Sequence, residues 1–297
     1  MRQCGMIFLP MLAPVPHQRR RWFRHALLCT VLGFFLSSCS ALNLTYNHAE
    51  GLLLWKIDRY FKLSAEQERL VKAWLADFHL WHRQTELPRY VEFLKQVQDR
   101  WSDGVSPEEI DWTFDTFAKL RSELTGRIAP AGAVLLPLVD TTQIRHLDRV
   151  LERDNRDWQA QAAIPAEERS VKRAKTVLTW LRDWLGPLTP EQERLVTRLL
   201  KDMPDTTEEW LAYRTQRQQQ FIQFLQSKPN PALIEHRLQE WLATPEKTSY
   251  VLSRQNLRQN VKITALAIDR TVTPRQRTHA SEKLQKLIRQ LESLAAG

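Results

Sequence analysis

Helix-start signals recur along this chain and strongly constrain its fold. Three tetrapeptides combine an N-cap hydroxyl, a proline at the first helical position and a Glu or Gln at the third. They are Ser106-Pro107-Glu108-Glu109, Thr189-Pro190-Glu191-Gln192 and Thr273-Pro274-Arg275-Gln276, and Ser64-Ala65-Glu66-Gln67 is the same box without proline. In such a capping box the hydroxyl and the Glu or Gln side chain satisfy two backbone N–H groups that a helix start leaves free. The pattern predicts four helix starts.

The rest of the composition also favours helix. Apolar residues recur at helical spacing, as in Leu70, Trp74, Phe78 and Trp81, whereas runs of alternating β-branched residues are absent. The 297 residues include only eight glycines, none of which lies between residues 187 and 296. We therefore predict an all-α fold, an elongated domain of many helices.

An internal repeat is indicated by shared spacing. The segment Leu63–Val71 reappears as Leu188–Val196 at an offset of 125, and the start at Ser106-Pro107 matches Asn230-Pro231 at an offset of 124. Independent recurrence of capping boxes explains the caps but not the spacing. We predict a lead-in segment at 39–62 and two related helical halves at 63–186 and 188–297, which together form one continuous unit.

The N-terminus has the layout of a secretory signal peptide over residues 1–38. An arginine block at 19–24 precedes an apolar run at 26–36, which is about half the length needed to span a bilayer. The run closes on Leu36-Ser37-Ser38-Cys39, which resembles the bacterial lipobox. That resemblance implies acylation of Cys39 as the first residue of the mature chain, and Ser40 after it resembles the outer-membrane default. A cleaved signal peptide with a chance cysteine is the alternative, and Met11 is an alternative start.

Removal of residues 1–38 would change the cysteine count and the net charge of the chain. Two of the three cysteines and five arginines would leave with them, so the formal charge falls from +9 to +4. This balance gives no reason to expect a nucleic-acid partner, and no disulfide can form. A basic stripe remains at Arg254, Arg258 and Lys262, which we interpret as a solvated helix face, with a contact to acidic lipid or cell wall as the sharper alternative.

Few residues suggest chemistry. Gly-rich phosphate loops and the G-x-S-x-G elbow are absent, and a lipidated Cys39 cannot act as a nucleophile. His79, His82 and Glu86 share a helix face and could hold a metal ion. A structural reading is favoured, in which Trp81 packs in the core, its polar neighbours bond along the helix and Pro88 kinks or breaks it. We predict no catalytic residue, cofactor or metal, and a binding surface formed by Trp81, His82, Arg83, Glu86 and Tyr90.

Two family resemblances complete the expectation. From Cys39 onward the chain resembles an uncharacterised family of proteobacterial lipoproteins, a domain of unknown function, through the lipobox, Tyr60–Gln67, Trp81–Arg83 and Glu86–Tyr90. This resemblance implies an α-helical periplasmic lipoprotein and no activity. Leu188–Gln192 matches the L-T-x-x-Q motif of Spy-like chaperones, which implies binding of unfolded clients without ATP.

The expected function is therefore that of an outer-membrane lipoprotein facing the periplasm, with a binding or structural envelope role and no catalysis. Its partners would be the membrane, through acyl chains on Cys39, and a protein or other cell-envelope component. A Spy-like chaperone is the alternative, and a metal-binding protein or an enzyme is a third, less favoured class.

Overall fold

The computed structural model describes residues 38–243 and 249–297. In the first part of the chain the α-helices are α1 (Ser38–Asn47), α2 (Ala49–Phe61), α3 (Ala65–Trp81), α4 (Leu87–Arg100), α5 (Pro107–Gly126), α6 (Ile128–Leu135) and α7 (Thr141–Ala162). They continue as α8 (Ala166–Leu185), α9 (Pro190–Lys201), α10 (Thr207–Gln226), α11 (Pro231–Ala243), α12 (Ser249–Asp269) and α13 (Pro274–Ala296). Within the described ranges there is no strand, so the all-α prediction is confirmed.

The chain divides into two units, residues 1–45 and Tyr46–Gly297. The predicted signal peptide lies outside the described residues, apart from Ser38. Helices α2 to α13 all belong to the second unit, which includes both predicted halves. The predicted boundaries of these halves stay predictions.

All four predicted capping boxes are present. At Ser64, for example, Oγ accepts from the Gln67 backbone N–H at 3.3 Å, and the Gln67 side chain accepts from the Ser64 N–H at 2.8 Å. The same reciprocal bonds occur at Ser106, Thr189 and Thr273. A fifth box, which we did not predict, begins α7 at Asp140, where the carboxylate replaces the hydroxyl.

The capping glutamines also bond to one another in pairs. The Gln67 amide donates to Gln143 Oε1 at 3.0 Å, and the Gln143 amide donates to Gln67 Oε1 at 2.7 Å. Gln192 and Gln276 form the same reciprocal pair, with both distances between 2.8 and 2.9 Å. Each amide also donates to a backbone carbonyl, so one buried pair fixes two helix starts and two loops. We call each pair a glutamine clamp.

Helix packing repeats in the same twofold way. Helix α2 packs on α3 and α7, and α8 packs correspondingly on α9 and α13. Helix α7 then packs on α10, whereas α13 packs on α4. The helices thus form two series, α2–α7 and α8–α13. The last helix of each series packs on a helix of the other series.

The buried core includes one apolar cluster that the two series share and one within the second series. One apolar cluster combines residues 133–147 with residues 222–234, and a second one joins α8, α9 and Met203. Of the described helices, none combines the length and the apolar character needed to cross a membrane.

Candidate functional site

A π-helical turn at His82–Glu86 separates α3 from α4. The Leu87 N–H donates to the His82 carbonyl, five residues back, where an α-helix would use the residue four back. Pro88 follows at once and has no N–H to donate. The chain thus changes its register at this point and stays helical on both sides. Such turns are frequent at functional sites.

Glu86 ends this turn and is fully buried, with 0 % of the residue exposed. Its Oε1 accepts from Arg89 Nη1 at 2.8 Å. Its Oε2 is also buried and accepts no hydrogen bond from any described residue. Burial raises the pKa of the Glu86 carboxyl, and the Arg89 guanidinium partly opposes that shift. The Glu86 carboxylate thereby positions the Arg89 guanidinium.

An open cavity of about 330 Å³ lies beside the π turn, and we call it the Trp81 cavity. One wall comes from Trp81, the π turn and the first turn of α4, and the other comes from the C-terminal end of α5. The lining residues are Trp81, Thr85, Arg89, Ser122, Glu123, Gly126 and Arg127. The Arg127 guanidinium covers the Trp81 ring, with Cζ 4.6 Å from the ring centroid. The expectation that Trp81 packs in the core is wrong, because its indole is only partly buried and lines this cavity.

His82 points into a cluster of aromatic rings instead of lining the cavity. Its Nδ1 lies 2.9 Å from the Tyr46 hydroxyl, and its ring centroid lies 5.5 Å from that of Tyr90. Burial, together with the nearby His79, lowers the pKa of His82 to about 4. Burial raises the pKa of Tyr46 and of Tyr90 to about 12. At neutral pH a neutral imidazole therefore shares this hydrogen bond with the protonated Tyr46 hydroxyl.

Arg83 connects the π turn to Asn47 and to the C-terminal end of α13. Its guanidinium donates to Asn47 Oδ1 at 2.6 Å and to the Leu294 carbonyl at 3.1 Å, and it lies over the Tyr46 ring. Of the five residues predicted to form a binding surface, Trp81 lines the cavity and Glu86 supports it through Arg89. The other three do not line the cavity. His82 contacts Tyr46 and Tyr90, and Arg83 binds Asn47 and the Leu294 carbonyl.

The three candidate metal ligands have separate partners. His79 Nδ1 lies 2.8 Å from Glu50 Oε1, His82 faces Tyr46, and Glu86 faces Arg89. In the ranges the structure describes, His, Cys, Asp and Glu side chains form no group of three or more that could hold a metal ion.

The basic stripe is engaged within the chain. Arg258 pairs with Asp115 at 2.9 Å and also contacts Asp111, which binds Lys262 as well. Arg254 lies over the Tyr250 ring. These contacts tie α12 to α5, which adds a structural role that the prediction of a solvated face did not include.

Residues 122–127 are the part of the site that sequence reasoning missed. They lie more than 30 positions after the π turn, and tertiary packing brings them to it. Gly126 at the end of α5 was an available signal, since glycine is rare in this chain.

A protein-family model matches this chain. The model of DUF6279, a family of unknown function, matches residues 59–250, which is more than half of the chain. This confirms the expected likeness to an uncharacterised family, whereas the Spy-like resemblance stays a prediction. Neither a curated protein nor a solved structure matches.

Proposed function

We propose that this chain, which belongs to the DUF6279 family, is a lipid-anchored protein of the bacterial outer membrane. It faces the periplasm and binds a ligand or partner without catalysing a reaction. The observation that carries the anchoring is Leu36-Ser37-Ser38-Cys39, placed directly after a short apolar run and an arginine block. Two or more acyl chains on Cys39 would hold the protein stably at a membrane.

The Trp81 cavity supports the binding role. Its volume of about 330 Å³ falls in the range of small-ligand sites, and its lining includes convergent polar groups. Two of these groups have fixed positions, since Glu86 holds Arg89 and the indole of Trp81 holds Arg127. A surface whose side chains are already ordered loses less entropy when it binds.

Anchoring is tested by metabolic labelling with an alkyne analogue of palmitate in a bacterial host. The full-length chain should take up the label and fractionate with outer membranes. Cys39→Ser should lose the label, whereas Ser38→Ala, which keeps a small residue before the cysteine, should retain it. Labelling of the Cys39→Ser protein, or its full retention in the membrane, would reject the anchoring.

The binding role is tested by photo-crosslinking in living cells. A photoreactive amino acid at Thr85 in the cavity should yield a specific adduct with an envelope component. The matched control carries it at Glu168, an exposed position on α8. Identical adducts from both positions, or none from Thr85, would count against binding at this site.

The Spy-like chaperone is the alternative, and it depends on Leu188–Gln192. In this chain Gln192 is buried and bonds to Gln276, so the motif has a structural use that needs no client. A holdase would suppress aggregation of an unfolded protein at stoichiometric amounts. Suppression of that kind would favour the alternative over the proposal.

A further inference from the structure

We propose that the Trp81 cavity binds a zwitterionic ligand, an amino acid or a short peptide. Arg127 would hold its carboxylate and Glu123 its ammonium group. This inference depends on the binding role proposed above and specifies the chemistry of that site.

The first observation is an ion pair that does not form. Glu123 precedes Arg127 by four residues near the end of α5, a spacing at which Glu and Arg commonly pair on a helix. The described structure joins them by no ion pair. The Arg127 guanidinium instead lies over the Trp81 ring, and Glu123 forms a long ion pair with Arg89, with Oε2 4.0 Å from Nη1. Arg127 therefore faces the cavity without a carboxylate partner among the described residues, and Glu123 has only a long ion pair there.

The second observation is the charge balance of the cavity. The positive charge of Arg89 is compensated by the buried Glu86 carboxylate, with Nη1 2.8 Å from Oε1. The remaining guanidinium is that of Arg127, and the remaining carboxylate is that of Glu123, whose side chain is 64 % exposed and makes only the 4.0 Å contact with Arg89. A simple anion would be attracted by Arg127 and repelled by Glu123, whereas a ligand with both charges matches both groups.

The third observation is the fit of the remaining lining. The Thr85 and Ser122 hydroxyls can donate and accept, as the amide of a peptide requires. Gly126 leaves space where other residues carry a side chain. A Cβ built on Gly126 would have no neighbouring heavy atom within 4 Å among the described residues. The cavity has room for a ligand the size of a dipeptide.

The test is calorimetric titration of the whole mature chain, residues 39–297, carrying Cys39→Ser so that it stays unacylated. The probes are alanyl-alanine, its C-terminal amide and its N-acetyl derivative. Alanyl-alanine should bind saturably, and each blocked analogue should bind about tenfold more weakly or worse, because one charged contact is lost. Free alanine, titrated in parallel, distinguishes an amino acid from a peptide as the preferred ligand.

Variants locate the site. Gly126→Leu should fill the cavity and abolish binding, while thermal unfolding stays unchanged or shifts upward, since Leu favours helix over Gly. The matched control is Gly51→Leu on α2, where a Cβ also meets nothing within 4 Å of the described structure. This variant should bind as the parent does. Glu123→Gln should remove the preference for the free ammonium, and Arg127→Gln the preference for the free carboxylate.

Two results would overturn the inference. One is the lack of saturable binding by alanyl-alanine and by alanine at millimolar concentration, and the other is undiminished binding by Gly126→Leu. Neither result affects the labelling of Cys39 or a crosslink from Thr85. Failure of the ligand assignment is therefore distinguishable from failure of the proposed function.

Discussion

At the scale of single residues, Glu86 combines complete burial with an unpartnered oxygen. Burial of a carboxylate destabilises the folded state unless every lone pair is satisfied, and the ion pair with Arg89 offsets only part of the desolvation penalty. Such an arrangement favours a role in positioning Arg89 over a role in stability.

We therefore expect Glu86→Gln to raise the free energy of unfolding at pH 7 by about 1 kcal/mol, since Arg89 is half-exposed and its attraction is screened. The pKa of Glu86 is raised by folding, so its destabilising charge is present above that folded pKa and disappears as the carboxyl protonates in acid. The gain should therefore shrink from pH 7 toward pH 4.5 in urea denaturation. A loss above about 1 kcal/mol at both pH values would show that the ion pair is mainly stabilising.

His82 should produce the opposite pH dependence. The pKa of His82 falls from the ordinary value of 6.5 to about 4 on folding. At pH values between these two, the imidazole is therefore protonated in the unfolded chain and neutral in the folded chain. The free energy of unfolding should therefore fall by about 1–2 kcal/mol as the pH drops from 6.5 to 4, after allowance for the partial exposure of His82.

His82→Asn, whose amide can still bond to the Tyr46 hydroxyl, should flatten the stability profile over that window. Urea denaturation at several pH values measures it. The control is His236→Asn, because the His236 side chain is 69 % exposed and should not affect the slope. Equal slopes for the parent and His82→Asn would contradict the assignment.

At the scale of elements, the glutamine clamps use a local capping motif to make a long-range contact. Gln192 satisfies the Thr189 N–H, the Thr271 carbonyl and Gln276, whereas Glu109 in its own box bonds back to Ser106 alone. Loss of a clamp residue leaves several buried polar groups without partners.

Gln192→Leu and Gln67→Leu should each lower the free energy of unfolding by about 2–3 kcal/mol. Glu109→Leu, the matched change in a box without a clamp, should cost about 1 kcal/mol or less. Urea denaturation of the three variants compares them directly. Equal costs at all three positions would mean that the clamps add nothing to ordinary capping.

The boxes were predictable because a capping box is written within four consecutive residues. The partner of each glutamine was not, since Gln67 and Gln143 lie 76 positions apart and only packing brings them together. The π turn is an intermediate case. Pro88 indicated a disturbance of the helix, but its conversion into one wide turn depends on where Leu87 and Val91 must be buried.

The candidate site shows the same limit. Trp81 and Glu86 could be selected from their local pattern, an aromatic residue and a carboxylate around a helix irregularity. Gly126 is noticeable as a rare glycine, but neither Gly126 nor Arg127 could be assigned to this site, because nothing in the sequence places the end of α5 against the π turn.

At the scale of the whole molecule, the exchange of helices between the two series should make unfolding cooperative. Helix α13 packs on α4 from the first series, and α7 packs on α10 from the second. One apolar cluster combines residues 133–147 with residues 222–234, so each series loses buried apolar surface without the other. We therefore expect Tyr46–Gly297 to unfold in one transition.

Ile288 gives a direct test, because it lies in α13 with 0 % of the residue exposed. Ile288→Ala should lower the global free energy of unfolding by about 2–5 kcal/mol through the cavity it leaves. Amide hydrogen exchange read by mass spectrometry should then show the same loss of protection in α4, almost 190 positions away, as in α13 itself. Ile263→Ala, at a site 59 % exposed, is the control and should change stability by less than about 0.5 kcal/mol. If α4 kept its protection while α13 lost it, α13 would open by itself, and the exchange of helices would not unite the two series into one cooperative unit.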